Sequence, residues 1–109
     1  MMNNNIEVFL KKHPIMLAHP QIEAFCRRHR IRRLALFGSV LRPDFQPQSD
    51  IDVLVEFEPE HTPGLAFFAM QDELSQILGH PVDLNTLQFI SPHFRQQVLE
   101  DAEVIYEQA

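Results

Sequence analysis

Two aspartates one residue apart, Asp50 and Asp52, open the apolar run DIDVLVEF. On an extended strand, residues i and i+2 project to the same face with Cα atoms roughly 6.6 Å apart. Carboxylates so placed can converge on two divalent cations about 3.5–4 Å apart, the separation used for in-line displacement at phosphorus. Hard oxygen donors suit Mg²⁺, which takes one or two carboxylates and completes its shell with phosphate oxygens and water. Two unpaired carboxylates beside so apolar a strand cost free energy unless a cation or hydrogen-bond donors compensate. Taken alone, the pair is a weak signal, because many such pairs are solvated strand ends.

Three further features bear on the pair. Gly38-Ser39 closes the preceding apolar run, ten residues before Asp50. A glycine lets a backbone N–H approach an anion closely, Ser39 adds a hydroxyl donor, and the start of a short helix favours phosphate. Arg42 follows one turn later, placed either for charge-assisted bonds to the same anion or for an ion pair with Asp44. Asp83 alternates with the apolar Val82 and Leu84. It lies either on an exposed edge strand or beside Asp52, where it would complete a metal site or accept a proton from an attacking hydroxyl.

The elements that must position these groups follow from periodicity and punctuation. Ile6, Phe9 and Leu10 suggest a short first helix before His13-Pro14, as an extra element within residues 1–19. Pro20 suits the first turn of a helix to about His29, with Ile22, Phe25, Cys26 and His29 as its buried stripe. Leu34 to Phe37 reads as a buried strand, Val40 to Arg42 as a helical turn, and Asp44 to Ser49 as a loop. Along the next strand, Asp50, Asp52 and Leu54 share one face and Ile51, Val53, Val55 and Phe57 the other. Thr62-Pro63 predicts the start of a helix carrying Phe67, Met70, Leu74, Ile77 and Leu78 inward, ended by Gly79-His80-Pro81. Val82 to Asn85 is a strand. Ser91-Pro92 starts a helix to about Asp101 with Phe94 and Val98 turned inward, and Glu103 to Glu107 is a last strand. The result is an α/β (α+β) pattern, a small mixed sheet with helices packed on it.

At 109 residues the chain reads as a single domain over 1–109, with ordinary hydrophobic (45%) and charged (22%) fractions. One cysteine excludes an internal disulfide, and the absence of a signal-like N-terminus or a spanning apolar run predicts a cytoplasmic protein with no membrane contact. The net charge of −6 argues against a general nucleic-acid binder. Charge is nevertheless segregated: residues 1–43 carry eight Lys or Arg against two acids, and residues 44–109 one Arg against thirteen acids. Arg27, Arg28, Arg30, Arg32 and Arg33 either complement a helix C-terminus and solvate the surface, or form a strip for phosphate or an acidic partner. The six histidines show no i, i+4 pairing and no zinc spacing with Cys26, so surface or half-buried roles are expected. Tyr106 and the phenylalanines read as core.

The combination of Gly38-Ser39, ten residues, and Asp50-Ile51-Asp52 resembles the signature of the nucleotidyltransferase superfamily related to DNA polymerase beta. The flanks LALFGSVLR and SDIDVLVEF, with the later VDLNT and EVIYE, most resemble its minimal nucleotidyltransferase (MNT-type) branch over roughly residues 20–107. The resemblance implies a nucleotidyltransferase fold in which Gly38 and Ser39 hold the triphosphate of ATP, Asp50 and Asp52 bind two Mg²⁺ ions, and Asp83 is the third carboxylate. Pro43 departs from the glycine many members carry after the arginine, which leaves the direction of Arg42 open. Members of the branch are often antitoxins paired with a HEPN-domain ribonuclease toxin. The resemblance therefore implies transfer of AMP from ATP to a tyrosine hydroxyl of that partner. The rival readings are a catalytically silent antitoxin that neutralises its partner by binding alone, and a stand-alone transferase acting on a small molecule or RNA.

Overall fold

The computed structural model describes residues 19–46 and 48–108. The first helix suggested by Ile6, Phe9 and Leu10 lies outside the described residues.

Helix α1 spans His19–Arg28 and buries Ile22, Phe25 and Cys26, one stripe at helical spacing. It ends through Arg30, whose φ of +58° is the left-handed geometry that commonly closes a helix. His29 lies just past the helix, half-buried, with Nε2 2.8 Å from Glu73. Strand β1 covers Ile31–Phe37, longer than the apolar run Leu34 to Phe37 suggests. Arg32 and Arg33 remain extended because Glu56 and Glu107 on the neighbouring strands receive their charge, a cross-strand pairing that local sequence does not reveal.

A tight 3₁₀ turn, Gly38–Leu41, leads by a loop to β2, Ile51–Phe57. Helix α2, Ala66–Leu78, buries Phe67, Met70, Leu74 and Leu78 as expected. Its start does not follow the Thr62-Pro63 signal. Gly64, a poor helix former, is followed by a turn in which the Gly64 and Leu65 carbonyls accept from the Phe67 and Phe68 N–H groups. Gly79, with φ +66°, ends α2 by donating its N–H to the last carbonyls. Strand β3, Val82–Asn85, and strand β4, Glu103–Glu107, fall on the expected residues.

Helix α3 is shorter than the Ser91-Pro92 signal predicts, running Arg95–Asp101. The Arg95 guanidinium donates to the Leu87, Gln88 and Ile90 carbonyls, which ties the helix start to a 3₁₀ turn at Leu87–Phe89. Phe94 consequently faces outward and is 62% exposed, contrary to the inward position expected for it. Phe68 and Phe89 are also exposed, so the phenylalanines are not uniformly core.

The sheet has the order β3-β2-β1-β4, with β2 and β3 parallel and the other pairs antiparallel. Ile51, Val53 and Val55 join Leu34, Leu36, Val82 and Leu84 in one core beneath α1 and α2. The opposite face carries the polar alternates of the strands. Ala35 and Leu54 are nevertheless almost fully buried there, near Leu99 of α3. That cover explains why Leu54 is buried although it shares a face with Asp52.

The segregated charge closes on itself. Arg27 pairs with Glu23, Arg28 with Glu73, Arg30 with Glu58, and Arg32 and Arg33 with Glu56. Exposed pairs of this kind contribute at most about 1 kcal/mol each. They give the basic cluster partners within the molecule. Among the described residues no helix is long and apolar enough to cross a membrane.

Candidate active site

Strand pairing assembles the acidic residues. In the parallel β2–β3 ladder Asp52 stands opposite Asp83, and in the antiparallel β1–β2 ladder it stands opposite Phe37. Asp83, Asp52 and the Gly38-Ser39 turn therefore lie side by side across three strands, on the face away from the α1–α2 core. Asp50 occupies the last loop position before β2 and is exposed, whereas Asp52 is half-buried and Asp83 exposed.

The turn and the aspartate are built around one another. Gly38 has φ +76°, a conformation that costs L-residues with a side chain about 1–2 kcal/mol. A Cβ there would overlap Oδ2 of Asp52 and lie 3.2 Å from its Cγ. The Ser39 backbone N–H donates to the Asp52 carboxyl. The Arg42 N–H closes the turn on the Ser39 carbonyl at 3.0 Å. With only four residues, the turn has individual N–H groups to offer rather than a developed helix dipole.

Burial pushes the Asp52 carboxyl above its ordinary range, and the nearby Asp83 and Asp50 carboxylates push it further in the same direction. A hydrogen bond shared with Asp83 adds to the shift, while the Ser39 N–H opposes it. Neighbouring carboxylates that resist common ionisation are the donor set a divalent cation relieves. Among the described residues no three His, Cys, Asp or Glu side chains are gathered as a group able to hold a metal ion by themselves. An open arrangement of carboxylates suits Mg²⁺, whose remaining ligands come from water and substrate phosphates. Asp52 and Asp83, paired across β2 and β3, are carboxylates of the type Mg²⁺ takes.

Arg42 forms no ion pair with Asp44, and among the described residues no salt bridge engages its side chain. It lines a cavity of about 270 Å³ with Phe37, Gly38, Phe94, Gln97 and Asp101. The exposed Phe94 forms part of its wall. On the β3 side, His80 Nε2 donates to the Ser49 carbonyl at 2.6 Å, and the Ile51 N–H donates to the Pro81 carbonyl at 2.9 Å. These bonds hold the loop before Asp50 against the start of β3. The half-buried role expected of His80 agrees with this position, but its partner required the tertiary fold.

Comparison with known proteins adds the family. The nucleotidyltransferase domain model matches residues 21–105. MJ0128 of Methanocaldococcus jannaschii, whose name assigns it provisionally to the protein adenylyltransferases, is 35% identical over 101 residues, covering 90% of this chain and 92% of that protein. Protein adenylyltransferase MntA of Thermococcus cleftensis is 31% identical over 99 residues, covering 84% of this chain and 97% of that protein. Among solved structures, a toxin-antitoxin complex with AMP-PNP superposes with a TM-score of 0.66 at 24% identity, over 83% of this chain and 73% of that one. A complex of tri-AMPylated Shewanella oneidensis HEPN toxin with MNT antitoxin gives 0.61, also at 24% identity, over 86% and 73%. At that identity the two superpositions establish a shared fold. The signature, the mixed sheet and the relatives agree: this chain belongs to the nucleotidyltransferase domain family, in its minimal branch of MntA-like protein adenylyltransferases.

Proposed function

We propose that this adenylyltransferase is the antitoxin of a toxin-antitoxin pair. In this reading it transfers AMP from ATP to a tyrosine hydroxyl of a HEPN-domain ribonuclease partner and so silences it. The observation that carries the reading is the register pairing of Asp52 with Asp83 beside the Ser39 N–H, which gathers acid and anion-binding groups at one point of the sheet. The AMP-PNP in one complex of this fold, and the AMPylated HEPN toxin in another, support reading ATP as the substrate and a HEPN toxin as the partner.

The turn at Gly38 and Ser39, with Arg42 alongside, receives the β- and γ-phosphates through the Ser39 hydroxyl and the Arg42 guanidinium. Asp50 and Asp52 hold Mg²⁺, and Asp83 contributes a third carboxylate. Bound there, the ions supply charge neutralisation for the triphosphate and the departing pyrophosphate. Asp83, at the exposed edge of the group, takes the proton of the attacking hydroxyl as the tyrosine oxygen bonds to the α-phosphorus. The bond from that phosphorus to the α–β bridging oxygen breaks, and pyrophosphate leaves on the Gly38-Ser39 side. Residues 1–109 act in this scheme as one domain that supplies every catalytic group but not the acceptor.

The test is incubation of the chain with α-labelled ATP, Mg²⁺ and the product of the adjacent gene. Label on the partner that disappears in Asp50→Ala/Asp52→Ala is the expected result. Label that persists in that variant refutes the mechanism. Stoichiometric inhibition of the partner with no label establishes neutralisation by binding alone.

A further inference from the structure

Strand β3 lies at one end of the sheet, so β2 satisfies only one of its edges. Pro81 directs its carbonyl to β2, bonding the Ile51 N–H at 2.9 Å. By strand alternation, Val82 and Leu84 turn their own N–H groups the other way. Helix α2 meets both. The Val82 N–H donates to Ser75 Oγ at 3.0 Å, and the Leu84 N–H donates to Gln71 Oε1 at 2.8 Å. Ser75 Oγ in turn donates to the Gln71 carbonyl at 2.9 Å, which orients its lone pairs toward Val82. Because a strand N–H can only donate, the Gln71 amide must present its oxygen to Leu84. Asp83 sits between these two anchored residues.

We propose that Gln71, with Ser75, is a positioning device for Asp83: two side chains of α2 replace a missing neighbouring strand and fix the third carboxylate in register with Asp52. The proposal rests on the transferase reading given above. An unanchored edge strand only four residues long would be free to shift or fray at its outer side, and a shift moves Asp83 relative to Asp52. Neither side chain borders the phosphate turn, so the device acts on the carboxylate and leaves ATP binding to Gly38, Ser39 and Arg42. One turn of an otherwise solvent-facing helix edge thereby acquires a role that its amphipathic pattern does not announce.

The test compares Gln71→Met, which keeps size and loses the acceptor, with Gln71→Glu, which keeps an acceptor. Each is made in the full chain, alone and in an Asp83→Ala background. AMP transfer at saturating ATP gives kcat, and Mn²⁺ affinity by electron paramagnetic resonance reads the carboxylates without needing an acceptor protein. Gln71→Met is expected to lower kcat about tenfold or more and to weaken Mn²⁺ binding, with KM for ATP within about twofold of wild type. Gln71→Glu should restore most of the loss. In the Asp83→Ala background, Gln71→Met should have no further effect, because a device acting through Asp83 has nothing left to position. An additional loss of equal size in that background, or wild-type kcat and Mn²⁺ affinity for Gln71→Met alone, overturns the proposal. Wild-type transfer and Mn²⁺ affinity for Asp83→Ala alone would instead overturn the role of Asp83 on which the proposal stands, a separate and recognisable result.

Discussion

Gly38→Ala separates two costs that are usually confounded, because the protein supplies its own control. Gly38 and Gly79 both have left-handed backbones, with φ +76° and +66°. A Cβ at Gly79 meets nothing within 4 Å, whereas one at Gly38 overlaps Asp52 Oδ2. Gly79→Ala should therefore cost only the conformational penalty, about 1–2 kcal/mol. That lowers Tm by about 4–8 °C per kcal/mol for a domain near this size, with AMP transfer unchanged. Gly38→Ala carries the same penalty and in addition must push the Asp52 carboxyl out of its place. A carboxylate is the end of a short side chain and can move, so the added stability cost stays small. The catalytic cost does not, because a displacement near 1 Å at a reacting centre costs about a hundredfold in rate. The measurements are thermal unfolding of both variants and transfer of label from ATP to the partner. The expected pattern is similar losses of stability, with transfer lowered about a hundredfold only in Gly38→Ala. Transfer by Gly38→Ala within about threefold of wild type would falsify the claim that this turn and Asp52 are built as one unit.

Asp52→Asn should stabilise the metal-free protein near neutral pH and abolish the gain in Tm on adding Mg²⁺. The folded protein holds the Asp52 proton more tightly than the unfolded chain does. Stability of the metal-free protein therefore falls as pH rises from the ordinary carboxylate value through the raised one. Thermal melts against pH, with and without Mg²⁺, show that decline in wild type and its absence in the variant. Cys26 is fully buried, and burial pushes its thiol up to about 12, so it should resist alkylation by iodoacetamide at pH 8 in the native protein and react on unfolding. Rapid native alkylation would contradict its place on the buried face of α1.

The sites where sequence reasoning succeeded and failed differ in kind. Gly38, Ser39, Asp50 and Asp52 could be assembled from spacing because strand alternation and turn chemistry are local rules. The strands Val82–Asn85 and Glu103–Glu107 were legible for the same reason. Element starts were less so. Thr62-Pro63 and Ser91-Pro92 carry the usual cap-and-proline signal, yet the helices begin at Ala66 and Arg95. In the first case Gly64 weakens the opening turn; in the second, Arg95 ties the start to carbonyls of the preceding turn. The outward Phe94, which lines a cavity with Gly38 and Arg42, accompanies that second displacement.

By itself the sequence determined the family and the order of the described elements, and named the groups proposed to handle a triphosphate, since these depend on residue type and on separations of at most a dozen positions. Only the tertiary structure decided which groups meet. Asp83 reaches Asp52 because β3 runs parallel to β2, and α2 keeps it there through Gln71 and Ser75. The basic cluster, ambiguous as a string of arginines, proved to be matched by glutamates 4 to 74 residues away. Contacts at such range depend on strand order and helix placement, which the packing of the whole core selects and no local pattern encodes.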